Sequence, residues 1–139
     1  MDNRRNTTRN AGMHTQWNNF TIYKGNTNEK GMRTIGCKIG ANPTGKPLKR
    51  VLGLSKSQPY KFVSYIRVDY KNVRPSWRNE EGSYHRAFRK NMTTDLGKEE
   101  TEWFRGVSDE DFIKFAEQRK KLWGGKNSKV MITKVSCPQ

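Results

Sequence analysis

Histidine and cysteine are nearly missing from this 139-residue chain, which holds only His14, His85, Cys37 and Cys137 of the two types. None of these stands at a metal-ligand spacing, so neither a metal site nor a disulfide framework is expected. Such sparse cysteine fits a reducing, intracellular setting: the cytoplasm or, for a viral product, the virion. Long apolar runs are missing too. No stretch reaches 18 apolar residues, and Met1-Asp2-Asn3-Arg4-Arg5 leads into no hydrophobic region. Neither a spanning helix nor a secretory leader is expected, and a membrane is not an expected partner. Only 32% of the residues are hydrophobic, so the core should be modest for one domain of this length.

Acidic residues are the remaining shortage. Against 28 Lys and Arg stand 13 Asp and Glu, a net charge of +15. Residues 1–75 hold 15 basic and 3 acidic residues, net +12, whereas 76–139 hold 13 and 10, net +3. A compact cation of this density repels itself unless a polyanion relieves it, and phosphates do so by releasing their counterions. Nucleic acid is therefore the expected partner. Composition leaves open whether it is DNA or RNA, single or double stranded.

Residues 1–16 are rich in Asn, Thr and Arg and cannot bury much apolar area, so they read as a flexible basic arm. Arg4, Arg5 and Arg9 would track phosphates. The remainder, 17–139, reads as a single nucleic-acid-binding domain. Phe20 to Tyr23 and Arg33 to Ile39 have strand composition, with turn residues from Gly25 to Gly31 between them. A Gly-, Pro- and Lys-rich loop follows, holding one short strand, Val51 to Leu54, and the cations Lys46, Lys49 and Arg50. Lys61 to Tyr70 is the clearest strand, dominated by β-branched and aromatic residues with a period of two. Phe62, Ile66, Val68 and Tyr70 fall on one face of it; Lys61, Val63, Tyr65, Arg67 and Asp69 fall on the other.

Beyond Pro75 the texture turns helical. Ser76 is placed to cap a helix from Trp77 toward Met92, with Trp77, Glu81, Tyr84 and Phe88 along one stripe, although Gly82 weakens it. An acidic segment runs from Thr94 to about Gly106. Ser108 then caps a second helix whose Asp109, Glu110 and Asp111 complement the dipole. Phe112, Phe115, Ala116, Arg119 and Leu122 line one side, Gly124-Gly125 stops the helix, and Lys129 to Val135 forms a last strand. The fold class expected is α+β: a small antiparallel sheet with C-terminal helices and a flexible basic N-terminal arm.

Three short patterns touch known chemistry. Gly40 to Pro47 resembles the phosphate-binding loop of nucleotide hydrolases, yet Pro47 replaces the metal-binding hydroxyl and Pro43 interrupts the amide cradle. Thr21-Ile22-Tyr23 and Thr34-Ile35-Gly36 are spaced like the strand pair of GIY-YIG nucleases, but Thr replaces the first Gly and the second Tyr. Tyr60 to Tyr65 resembles part of the RNP1 strand of RNA-recognition domains, with Gln58 and Pro59 where a basic residue and Gly should open it. A basic turn, a plain hairpin and a plain strand explain the same residues. What the third pattern keeps is its physics: Tyr65 between cations either stacks an unpaired base or packs under a helix.

The acidic runs lie consecutively near helix starts, where the dipole accounts for them, and His85 has no evident nucleophile beside it. No catalytic residue, metal or cofactor is expected. The leading expectation is a non-catalytic nucleic-acid-binding protein of viral or phage style. It holds phosphates through Arg4, Arg5, Arg9, Lys38, Lys46, Lys49, Arg50, Lys61, Tyr65, Arg67, Lys71 and Arg74, with room for self-association. The alternatives are a structural subunit of a nucleoprotein assembly (coat or ribosomal protein), a small nuclease, and an inhibitor of a host nucleic-acid enzyme.

Overall fold

β-branched and aromatic residues dominate the chain around its longest strand, and these residues organise the fold. The computed structural model describes residues 18–29, 34–44, 60–93 and 103–137. The arm over 1–16, the turn over 30–33, the loop with Lys46, Lys49 and Arg50, the short strand over 51–54 and the acidic run over 94–102 lie outside the described residues. Three long strands, β1 (Asn18–Glu29), β2 (Thr34–Asn42) and β3 (Tyr60–Val73), form the centre. Two-residue strands β4 (Met92–Thr93) and β5 (Trp103–Phe104) extend one side, and β6 (Lys129–Ser136) extends the other. Among the described residues all pairings are antiparallel, and the six strands run in the order β4-β5-β2-β1-β3-β6. The class is thus α+β, with a larger sheet than the sequence implied. The presumed turn at Gly25 to Glu29 belongs to β1, and Trp103-Phe104 joins the sheet.

Helix α1 (Trp77–Ala87) and helix α2 (Asp109–Trp123) pack on one face of the sheet. Both start where the sequence indicated. The Ser76 hydroxyl accepts from the Asn79 N–H at 3.2 Å, and the Ser108 hydroxyl accepts from the Asp111 N–H at 3.0 Å. Each cap satisfies an amide that the first turn would otherwise leave unpaired, a gain of about 1 kcal/mol. α1 gives way to a 3₁₀ turn (Arg89–Asn91), shorter than the run to Met92 that the stripe implied. Under the helices Phe20, Ile22, Ile39, Ile66, Val68 and Tyr70 are all buried, and Tyr84 and Phe112 close over them. Phe20 and Tyr70, paired across β1 and β3, stack with ring centroids 4.6 Å apart.

Two of the expected side-chain positions change. Leu122, placed on the buried stripe of α2, is 57% exposed, and Trp123 packs against the core instead. Trp123 follows Phe112 by eleven residues, about three full turns, so it returns to the same side of the helix. Phe62 also changes sides. Asn26 pairs with Ser64 and Thr27 with Phe62, leaving Val63 as an extra residue in β3. That bulge turns Phe62 away from Ile66 and toward Tyr65. A second bulge near the end of β3 is carried by Asn72 at φ 55, a left-handed conformation that Asn tolerates better than most residues. The Asn19 side-chain oxygen accepts from its N–H at 2.9 Å.

The sheet face away from the helices is buried as well. Tyr23, Phe62, Tyr65, Trp103 and Cys137 form a second cluster there, with Val135 against it. Gly40 lies opposite Tyr23 in the β1–β2 register, and a Cβ on it would sit 2.8 Å from the Tyr23 hydroxyl. This glycine lets the tyrosine ring lie across the neighbouring strand. The Gly that opens the phosphate-loop-like pattern thus has a packing reason to be there.

Candidate nucleic-acid interface

Val73 ends β3, and Arg74-Pro75-Ser76 carries the chain into α1. On α1, Arg78 and Arg86 are eight residues apart, slightly more than two turns, so both side chains leave the same side. α2 brings Arg119 and Trp123 alongside. Arg74, Arg78, Arg86 and Arg119, with Pro75 and Trp123, line a cleft of about 500 Å³. Arg78 lies over the Trp77 ring at 5.2 Å from its centroid, and an Nη2 N–H of Arg86 donates to the Ser83 hydroxyl at 3.3 Å.

At the base of the cleft is Glu80, 1% exposed and reached by four donors. The Tyr70 hydroxyl donates to Oε2 at 2.8 Å, Arg119 Nε–H to Oε2 at 3.0 Å and Trp123 Nε1–H to Oε1 at 3.0 Å. Arg119 Nη2–H completes the pair on Oε1. Because the one Tyr70 proton goes to Glu80, Tyr84 is the donor in the 2.8 Å contact between the two hydroxyls. Burial, with the neighbouring Glu80 charge, pushes both phenols upward, so both remain protonated donors at neutral pH. The hydrogen bond to Glu80, followed by its charge, raises the Arg119 guanidinium above its already high value. A carboxylate with this many partners is satisfied inside the protein. The sequence reading gave this acid to the helix dipole and placed Glu81 on the packed stripe; Glu80 is the buried one.

The expected binding residues divide into groups. Arg74 lines the cleft, and Lys71 is exposed near the end of β3. Tyr65 is 9% exposed among the second-face aromatics, so it packs and does not present a stacking surface. The partner is that aromatic cluster, on the face opposite the helices. Arg67 is held by Asp69 through Nε and Nη2, the latter at 2.8 Å. Lys38 is half-buried, and burial lowers its amine against the opposing charge of Glu81. Lys61 occupies β3 opposite Asn28. Arg4, Arg5, Arg9, Lys46, Lys49 and Arg50 lie outside the described residues.

Arg78, Arg86 and Arg119 were not among the expected binding residues because residues 76–139 carry only +3. That sum hides a geometric separation. Glu80 is spent on Arg119 and Asp109 on Lys24, while Arg78, Arg86, Arg89 and Lys90 remain exposed on and just after α1. The eight-residue spacing of Arg78 and Arg86 was the available signal.

A second cleft, of about 600 Å³, lies between the end of α2 and β6, with Lys120, Lys121 and Lys129 at its walls. Among the described residues no three His, Cys, Asp or Glu side chains gather into a metal-holding group, and no helix is long and apolar enough to cross a membrane. No protein-family model, curated protein or solved structure matches the chain.

Proposed function

We propose that this protein binds nucleic acid without acting on it chemically, holding phosphates on the arginine-lined cleft and the basic surface around α1. The observation that carries this reading is the charge of the cleft: four arginines against one carboxylate, itself already paired to Arg119 and Trp123. Arginine presents planar pairs of N–H donors that match phosphate oxygens, and its weak hydration makes desolvation in a cleft inexpensive. The overall charge of +15 adds long-range attraction and fast encounter. The single carboxylate at the base is committed to structural donors, which supports a holding role over a hydrolytic one.

A salt series tests the reading. The logarithm of affinity should fall linearly with the logarithm of salt, with a slope of about −0.9 per phosphate on duplex or about −0.7 on single strands. Affinity for every polynucleotide unchanged between about 50 and 200 mM salt contradicts it. Cleavage of labelled DNA or RNA in the presence of Mg²⁺ would replace the holding role with a nuclease.

A further inference from the structure

The cleft is small and three of its four arginines are oriented by neighbouring side chains, and this bears on the form of nucleic acid it takes. A volume of about 500 Å³ falls within the range of sites that enclose a small ligand. A double helix offers such a site only its outer phosphates, because its bases are stacked inside and beyond the reach of a recessed ring. An unpaired nucleotide can enter whole.

The guanidinium of Arg119 supplies the orientation. It is planar and has two edges able to grip an oxyanion in a bidentate manner. Glu80 occupies the Nε–Nη2 edge. Planarity then leaves the Nη1–Nη2 edge directed away from Glu80, on a residue that lines the cleft. Trp123 is fixed by its Nε1–H bond to the same carboxylate and lines the cleft half-buried, with the Arg119 guanidinium 6.0 Å from its ring centroid. Arg78 against Trp77 and Arg86 against Ser83 hold two more cations at the walls. Ordering these side chains beforehand lowers the entropy lost on binding.

We propose that the cleft seats one unpaired nucleotide of a single strand, its phosphate on the Nη1–Nη2 edge of Arg119 and its base against Trp123. The proposal rests on the nucleic-acid reading above and narrows it to single strands. Glu80 is a positioning residue in this arrangement: it fixes Arg119 and Trp123 and touches no ligand.

Fluorescence anisotropy with labelled single-stranded DNA and RNA, and with duplexes of the same length, tests it at fixed salt. Single strands should bind about tenfold tighter than duplex, the scale of one base–aromatic stack. Trp123→Leu and Arg119→Lys should each lose about tenfold on single strands and less on duplex, which brings phosphates but no unpaired base to the cleft. Arg119→Lys keeps a cation beside Glu80 but loses the planar fork, the second edge included. Arg86→Ala alters an exposed side chain and so leaves folding intact; it should weaken single-strand binding more than Lys114→Ala or Lys126→Ala, which remove the same charge elsewhere. Duplex binding as tight as single strand, or Arg86→Ala no worse than the lysine controls, overturns the cleft proposal and leaves general nucleic-acid binding standing. Binding of an acidic peptide but of no oligonucleotide overturns both.

Discussion

The carboxylate of Glu80 grips the Nε–Nη2 edge of Arg119 across 39 residues of sequence, and this pair joins α1 to α2 from beneath the cleft. The same carboxylate accepts from Tyr70 in β3 and from Trp123, so three elements meet at one anion. Such a hub gives geometry more than net stability, because the desolvation of Glu80 offsets much of the attraction.

Breaking the hub from one side is a different matter. Glu80→Gln keeps the shape but puts an amide NH₂ where four donors converge, leaving Arg119 without its counter-charge. The loss expected is about 3 kcal/mol in urea unfolding. Combining it with Arg119→Met should cost much less than the two single losses added together, since no lone charge then stays behind. Additive losses would show that the two residues do not act as a pair.

Tyr65 separates packing from stacking. It lies in the second-face cluster, so Tyr65→Ala should cost about 3–5 kcal/mol through the cavity it leaves. Tyr65→Leu, which keeps an apolar side chain in the cluster but removes the aromatic face, should leave oligonucleotide affinity unchanged. Gly40→Ala should cost about 1–3 kcal/mol, because its Cβ would press on the Tyr23 ring. A loss of affinity in Tyr65→Leu while the protein remains folded would return this residue to the binding surface.

Local signals carried the sequence reading well. Ser76 and Ser108 cap the helices they were expected to cap, and the alternation through Ile66, Val68 and Tyr70 marked the central strand. Three features were not legible, each for its own reason. The bulge at Val63 is one extra residue in a run of good strand formers and leaves no mark in composition, yet it moves Phe62 to the other face. Glu80 and Arg119 meet only after the sheet has placed both helices, and no local window contains both. Charge summed along the chain could not show which acids would be consumed internally, so the cationic side of α1 was hidden in a half that reads as nearly balanced.

The thiols should be inert while the protein is folded. Burial pushes Cys37 from 9.0 up to about 11, the Lys24 charge opposing and Asp109 reinforcing the shift, and burial raises Cys137 too. At pH 8 a thiol at that value is thiolate in about one molecule in a thousand, roughly a hundredfold less than an unperturbed one. Ellman's reagent at that pH should therefore find both thiols promptly in urea and neither promptly in native buffer. Rapid native labelling of Cys37 would show that the strand pair around it opens.

Asp109 gives the fold a sensitivity to acid whose sign can be worked out. It begins α2, and Lys24, 2% exposed in β1, donates to its Oδ1 at 2.7 Å. Asn26 donates to the same oxygen at 3.1 Å, and Lys134 lies 3.5 Å from Oδ2. Burial by itself raises the Asp109 carboxyl, but the hydrogen bonds from Lys24 and Asn26 and the charges of Lys24 and Lys134 outweigh it, holding the group below the ordinary 3.8. A carboxyl lower in the folded than in the unfolded chain contributes stability that is complete above the unfolded value and disappears as pH falls through the folded one. Urea midpoints should therefore decline on going below about pH 4, and Asp109→Asn, already without the pair, should decline less over that window. Lys24→Met should likewise shrink the decline, because it removes the main partner that holds the carboxyl below its unfolded value. If the acid limb of Asp109→Asn were superimposable on that of the unaltered protein, the loss would belong to other carboxylates and the pair would carry no acid sensitivity.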